Sequence, residues 1–125
     1  MDSSKNKFKA PKPLASYSHF IKSNNLLFSS GQIGIDPLTN KLVNSSFKKE
    51  MIQVMNNIEI ILNNNSLKFK NIIKVNIYLT DLNNFEMLNK IYKTYFKNKY
   101  PVRETVEVSR LPKEANIEIS FIAEF

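Results

Sequence analysis

A chain of 125 residues with no cysteine is the size of one ordinary domain, and thiol nucleophiles, thiolate zinc sites and disulfides are excluded. At this length roughly two thirds of the unfolded surface can be buried, so a core needs no metal staple. The net charge is +7, but only Arg103 and Arg110 among the 18 basic residues are arginines; lysine lacks the fork that grips phosphate, and nucleic acid is not the favoured partner.

Residues 1–14 read as an N-terminal extension ahead of one domain over 15–125. Met1 to Pro13 has Phe8 as its only large apolar residue after Met1 and contains no arginine, which fits neither a secretory signal nor a mitochondrial presequence. No run approaches the roughly 20 apolar residues of a membrane span. A soluble protein of the cytoplasm is the default expectation, with an organelle left open.

Two strands are predicted first, Ser16 to Lys22 and Leu26 to Ile33, separated by the turn-prone Ser23-Asn24-Asn25. Gly34 to Asn44 reads as a loop. Ser45 or Ser46 then caps a helix with its apolar stripe at Phe47, Met51, Val54, Ile58, Ile61 and Leu62. The run Asn63-Asn64-Asn65 ends it.

From Ile72 to Thr80 the chain alternates, with Ile73, Val75, Ile77 and Leu79 on one side and Lys74, Asn76, Tyr78 and Thr80 on the other. A second helix is predicted with Asn83 as cap, Glu86 completing a capping box, and a buried face of Phe85, Leu88, Ile91, Tyr92, Tyr95 and Phe96. Pro101 returns the chain to extended structure. Strands over Val102 to Ser109 and Asn116 to Phe125 follow, joined at Arg110-Leu111-Pro112-Lys113 and expected to pair as a hairpin.

The order β-β-α-β-α-β-β implies an α+β fold with the helices on one face of a single mixed sheet. In the last strand Ile117, Ile119, Phe121 and Ala123 share a side, opposite Glu118 and Ser120. Taking Val106 and Val108 as the core side of the preceding strand turns Arg103, Thr105 and Glu107 away from the helices. The helix-free face is thus expected to carry Arg103, Thr105, Glu118 and Ser120 together. Tyr78 and Ile122 join that face, which suits an oligomer interface better than open solvent.

Arg103 starts a strand, and its guanidinium is matched to a substrate carboxylate; a surface salt bridge to Glu104 or Glu118 is the plainer alternative. Glu118 on a polar strand face can orient a water and move protons, although a solvated carboxylate is the commoner case. The lone His19 is not assigned as a base. Packing accounts for Asn89 and Tyr92 without function, and glycine in Ser30-Gly31-Gln32 permits close approach to a ligand.

The run Pro101-Val102-Arg103-Glu104-Thr105-Val106-Glu107-Val108, continuing through Leu111-Pro112 and Ala115 to Ile117-Glu118-Ile119, resembles the signature of the RidA/YjgF-type deaminases. This family is also known as liver perchloric-acid-soluble endoribonucleases and translation inhibitors. Ser29-Ser30-Gly31-Gln32-Ile33, Tyr17, Leu79-Thr80-Asp81 and Asn89 with Tyr92 extend the resemblance from about Ala15 to the C-terminus.

The resemblance implies a chorismate-mutase-like protomer and a homotrimer with clefts between subunits. It implies that Arg103 binds a substrate carboxylate and Glu118 positions the hydrolytic water, while Tyr17, Ser30, Gly31, Asn89 and the backbone of Thr105 line the cleft. Many members have cysteine where this chain has Thr105, which bears on substrate preference. The implied reaction is hydrolysis of 2-aminoacrylate or 2-iminobutanoate to a 2-keto acid and ammonia, with no metal or organic cofactor. An endoribonuclease or RNA-binding translation inhibitor, and a non-catalytic chaperone-like trimer, are the competing expectations.

Overall fold

The computed structural model describes residues 12–13 and 15–125. Apart from Lys12 and Pro13, the predicted N-terminal extension lies outside the described residues. Five strands form one sheet: β1 (Phe20–Ser23), β2 (Leu26–Ser29), β3 (Ile72–Leu79), β4 (Val102–Glu107) and β5 (Ile117–Glu124). Their spatial order is β1-β2-β5-β3-β4. Only the β3–β4 pair is parallel. A parallel neighbour needs a crossover, and the helix between those two strands supplies it.

Helix α1 (Phe47–Asn64) begins where Ser46 accepts a hydrogen bond from the Lys49 N–H at 3.1 Å. Its predicted stripe is the buried one: Met51, Val54, Ile58, Ile61 and Leu62 are within 1 % of full burial. They pack on Val75, Ile77, Ile117, Ile119 and Phe121 of the sheet and on Leu88, Ile91 and Tyr92 of helix α2 (Phe85–Tyr92). Among the described residues no helix covers the other sheet face.

Helix α2 starts differently from the expectation. The Asp81 carboxylate accepts from the Asn83 N–H at 2.9 Å and opens a 3₁₀ turn over Leu82–Asn84, so Asn83 lies inside that turn and caps nothing. Asn84 holds the cap position of α2 without a side-chain bond. Phe85 is 41 % exposed and Tyr95 half-buried, so the buried face narrows to Leu88, Ile91, Tyr92 and Phe96.

Three expectations about the sheet need correction. A bulge between Ile72 and Lys74 buries Ile72 in place of Ile73. The last two strands do not form a hairpin, because β3 lies between β4 and β5. Finally, Arg103 and Thr105 are on the helix-covered face. Arg103 is in register with buried Val75 and Thr105 with buried Ile77, whereas Val102 and Val106 align with Lys74 and Tyr78 on the open face. Strand β4 is an edge strand, and Arg103 on its helix side meets Phe85, Asn89 and Tyr92 of α2. Arg103, Thr105 and Glu107 occupy that side, while Val102, Glu104 and Val106 share the open face with Ile21, Phe28, Tyr78 and Ile122.

Predicted strand β2 is also shorter than expected. Phe28 pairs with Ile122 and Gln32 with Ile119, so one chain takes four steps where the other takes three. The Ser29 hydroxyl accepts the Phe121 N–H at 2.8 Å in the gap. This one-residue bulge re-aims the local backbone and carries Ser30-Gly31 across Glu118.

Candidate active site

The sequence-predicted residues fall into two clusters on opposite faces of the sheet. On the helix side, an Arg103 Nη donates to Asn89 Oδ1 at 2.8 Å. Its guanidinium carbon lies 4.9 Å from the Tyr92 ring centre and 5.7 Å from that of Phe85. Phe85, Asn89 and Tyr92 follow one another by four and three residues, which puts them on one face of α2. That face holds the planar cation by stacking and one hydrogen bond.

Among the described residues no carboxylate pairs with Arg103; the surface ion pair there is Lys74 with Glu104 at 3.9 Å. Burial, partly offset by the Arg103 charge, raises the Tyr92 phenol to about 12. It therefore stays protonated and keeps its donor. Among the described residues the buried Tyr92 hydroxyl and the buried Thr105 Oγ1 have no hydrogen-bond partner. Buried polar atoms left unpaired are rare, and these two accompany a cation with most of its donors unused.

On the open face, Glu118 stands opposite Tyr78. Burial pushes its carboxyl above the ordinary glutamate value. The Gly31 backbone lies over it: a β-carbon at Gly31 would come 2.6 Å from the Glu118 carboxyl carbon. Glycine is needed here for close approach, not for an unusual backbone angle.

The Gly31 segment is fixed from both sides. Gln32 exchanges backbone hydrogen bonds with Ile119 at 2.7 and 3.0 Å, and the Ser30 N–H donates to His19 O at 2.8 Å. The Ser30 hydroxyl donates to Ser18 O, which makes Ser30 a tether for the Tyr17–His19 stretch. Gln32 is buried, with Nε2 3.4 Å from His19 Nδ1. Tyr17, His19, Gly31 and Gln32 border a pocket of about 20 Å³, enough for a single water.

Behind this segment is a polar clamp that sequence reasoning missed. Glu50 on α1 is fully buried and accepts from the Asn116 N–H at 2.7 Å and Asn116 Nδ2 at 2.8 Å, just ahead of β5. Asn57, also fully buried, donates to Ile33 O and Ile35 O at 3.2 and 2.9 Å. These bonds fix the two chain segments that carry Gly31 and Glu118. The spacing of Glu50 and Asn57 along one helix was the available signal.

Thus Arg103, Asn89 and Thr105 come together, as do Glu118, Gly31, Ser30 and Tyr17, but the two groups do not meet within one chain. Among the described residues no three His, Asp or Glu side chains cluster as metal ligands, and no helix is long and apolar enough to cross a membrane.

Comparison with known proteins assigns this architecture. The family model Endoribonuclease L-PSP matches residues 7–125. The chain belongs to this family, the Rid (RidA/YjgF) group. It is 48% identical over 117 residues to a RutC family protein of Aquifex aeolicus, covering 92% of this chain and 93% of the relative. It is 37% identical over 115 residues to the human 2-iminobutanoate/2-iminopropanoate deaminase, covering 92% and 84%. Among solved structures, the Rid family protein YyfA from Yersinia pestis superposes with a TM-score of 0.91 at 41% identity, covering 94% of both chains. The α+β fold with one mixed sheet is the fold of this Rid family.

Proposed function

We propose that this Rid family protein is a hydrolytic deaminase of small enamine and imine acids, working as a homotrimer whose sites lie between subunits. The observation that carries this reading is the separation of the two clusters: a guanidinium with unused donors on one sheet face, and a desolvated carboxyl on the other. A ring of subunits can set the open face of one copy against the β4 edge of the next. The exposed apolar residues Ile21, Phe28, Val102 and Val106 on that face and edge support such a contact. So does the pocket beside Gly31, too small for a substrate within one chain.

In this reading, 2-aminoacrylate tautomerises to its imine and binds with its carboxylate on Arg103, held in two parallel hydrogen bonds. Glu118 of the adjoining subunit takes a proton from water as the oxygen attacks the C=N carbon. That proton passes to the imine nitrogen to give the carbinolamine. Glu118 then takes the carbinolamine hydroxyl proton and delivers it to nitrogen, the C–N bond breaks as the C=O bond forms, and ammonia leaves. One imine and one water give one 2-keto acid and one ammonia. The raised pKa of Glu118 makes the carboxyl a better proton acceptor than a solvated glutamate. The human relative's name supports the substrate class.

RNA cleavage, to which the family model's name points, is less well served. Metal-free cleavage usually employs an acid and a base, and the chain has one histidine. The testing experiment supplies the purified protein with 2-iminobutanoate generated enzymatically and follows ammonia and 2-ketobutanoate. Release above the spontaneous rate is expected; a rate equal to that without protein contradicts the reading.

A further inference from the structure

One cleft shares no lining residue with either cluster. It holds about 580 Å³, within the range of about 300–1,000 Å³ usual for small-ligand sites. Two short sequences of the same form meet there, Lys68-Phe69-Lys70 after α1 and Lys97-Asn98-Lys99 after α2. What joins them is an aromatic contact. The Phe69 ring lies 5.0 Å from Tyr95 and 5.9 Å from Phe96, centre to centre.

The result is an apolar floor between two pairs of lysines. Glu59 on α1 is the acidic residue on the lining, and none of the four lysines makes an ion pair among the described residues. Burial, reinforced by Glu59, holds the Tyr95 phenol above its ordinary value, so the floor stays uncharged. Like charges converging on a low-dielectric surface raise the local concentration of anions. Lone carboxylates would satisfy only one lysine each, whereas linked phosphates bring several charges into a cleft of this size. The Phe69 ring, set at 53° to Tyr95 and 83° to Phe96, offers a face on which a ring attached to those phosphates can stack. An adjoining cleft shares Tyr95 and adds Lys48, Lys90 and Lys93 to the positive field.

We propose that the cleft between Lys68-Phe69-Lys70 and Lys97-Asn98-Lys99 binds a nucleoside polyphosphate, the base stacked on Phe69 and the phosphates held by the lysines. The cleft is on the helix side of the sheet, lined by residues of α1 and of the segments that follow α1 and α2. It does not depend on the deaminase reading.

Calorimetric titration of the full chain at about 0.1 M salt, with ATP, adenosine and inorganic triphosphate as separate probes, tests the proposal. ATP is expected to bind at least about tenfold more tightly than either part. The pairs Lys68→Ala with Lys70→Ala, and Lys97→Ala with Lys99→Ala, should each weaken ATP about tenfold or more. Remote Lys22→Ala with Lys41→Ala should leave it unchanged. Phe69→Leu should weaken ATP but not triphosphate; Phe69→Tyr, which keeps the ring, should restore it if the leucine variant fails to fold. Triphosphate binding as tightly as ATP would overturn the proposal. So would equal losses in the remote pair, or binding of a single-stranded oligonucleotide with none of ATP.

Discussion

Glu118 lies so close under Gly31 that a β-carbon on the glycine would stand 2.6 Å from the carboxyl carbon. The obstructed atoms are the far end of a flexible side chain, so Gly31→Ala should cost little stability. The carboxyl, however, must turn away. The variant should keep the wild-type melting temperature while imine hydrolysis falls by about tenfold or more, since displacement on the order of 1 Å suffices for such losses. Calorimetry and the coupled ammonia assay on the same preparation separate the two effects.

The pH dependence follows from the direction of the Glu118 shift. Burial raises its folded-state pKa above the ordinary glutamate value, so ionising it opposes folding. That penalty is absent below the unfolded pKa, grows as pH rises through the folded pKa, and is complete above it. Glu118→Gln should therefore leave neutral-pH stability unchanged or slightly increased, and the difference should vanish below about pH 4. The rate of imine hydrolysis should rise with pH over the ionisation of Glu118 in the wild type. That rise should be missing in Glu118→Gln, which should still bind a carboxylate ligand.

Arg103→Lys keeps the charge but loses the planar fork stacked on Tyr92 and the bond to Asn89. At about 1.5–3 kcal/mol for a charge-assisted hydrogen bond, kcat/KM should fall on the order of 10²-fold. Thr105→Ala removes a buried hydroxyl that has no partner among the described residues, and should change both stability and rate far less. Steady-state kinetics on the two variants, compared at one pH, checks the contrast.

Much of the fold is legible in the sequence because it depends on properties of single elements. The α1 stripe from Met51 to Leu62 and the alternation of β5 each follow from one period. The side on which Arg103 sits is not legible in this way. Alternation divides β4 into Arg103 with Thr105 and Val102 with Val106, but does not say which set meets the helices. The apolar set would be the core set in a central strand. At an edge strand flanked by an exposed apolar face, the valines are turned outward instead. The β3–β4 pairing was hidden for a similar reason, since the crossover through α2 joins strands that are not successive hairpin partners. Glu50 and Asn57 read as ordinary polar helix residues, and only the docking of Asn116 and of the Ile33–Ile35 segment buries them.

That buried clamp gives a stability prediction. Glu50→Ala leaves the Asn116 N–H and side-chain amide without their acceptor and opens space in the interior. A loss of about 2–4 kcal/mol is expected, read as a lower urea midpoint with an unchanged slope.

The central claim, that Arg103 and Glu118 act together only across a subunit boundary, is tested most directly by mixing two inactive variants. Arg103→Ala and Glu118→Gln chains, unfolded together in equal amounts and refolded, are expected to form mixed trimers. Each mixed trimer has one boundary with both residues intact. Random assembly of a closed three-membered ring then predicts recovery of about a quarter of wild-type imine hydrolysis, against almost none for either variant refolded alone. No recovery from a mixture shown to contain mixed trimers would contradict the claim and place both residues' chemistry within one chain.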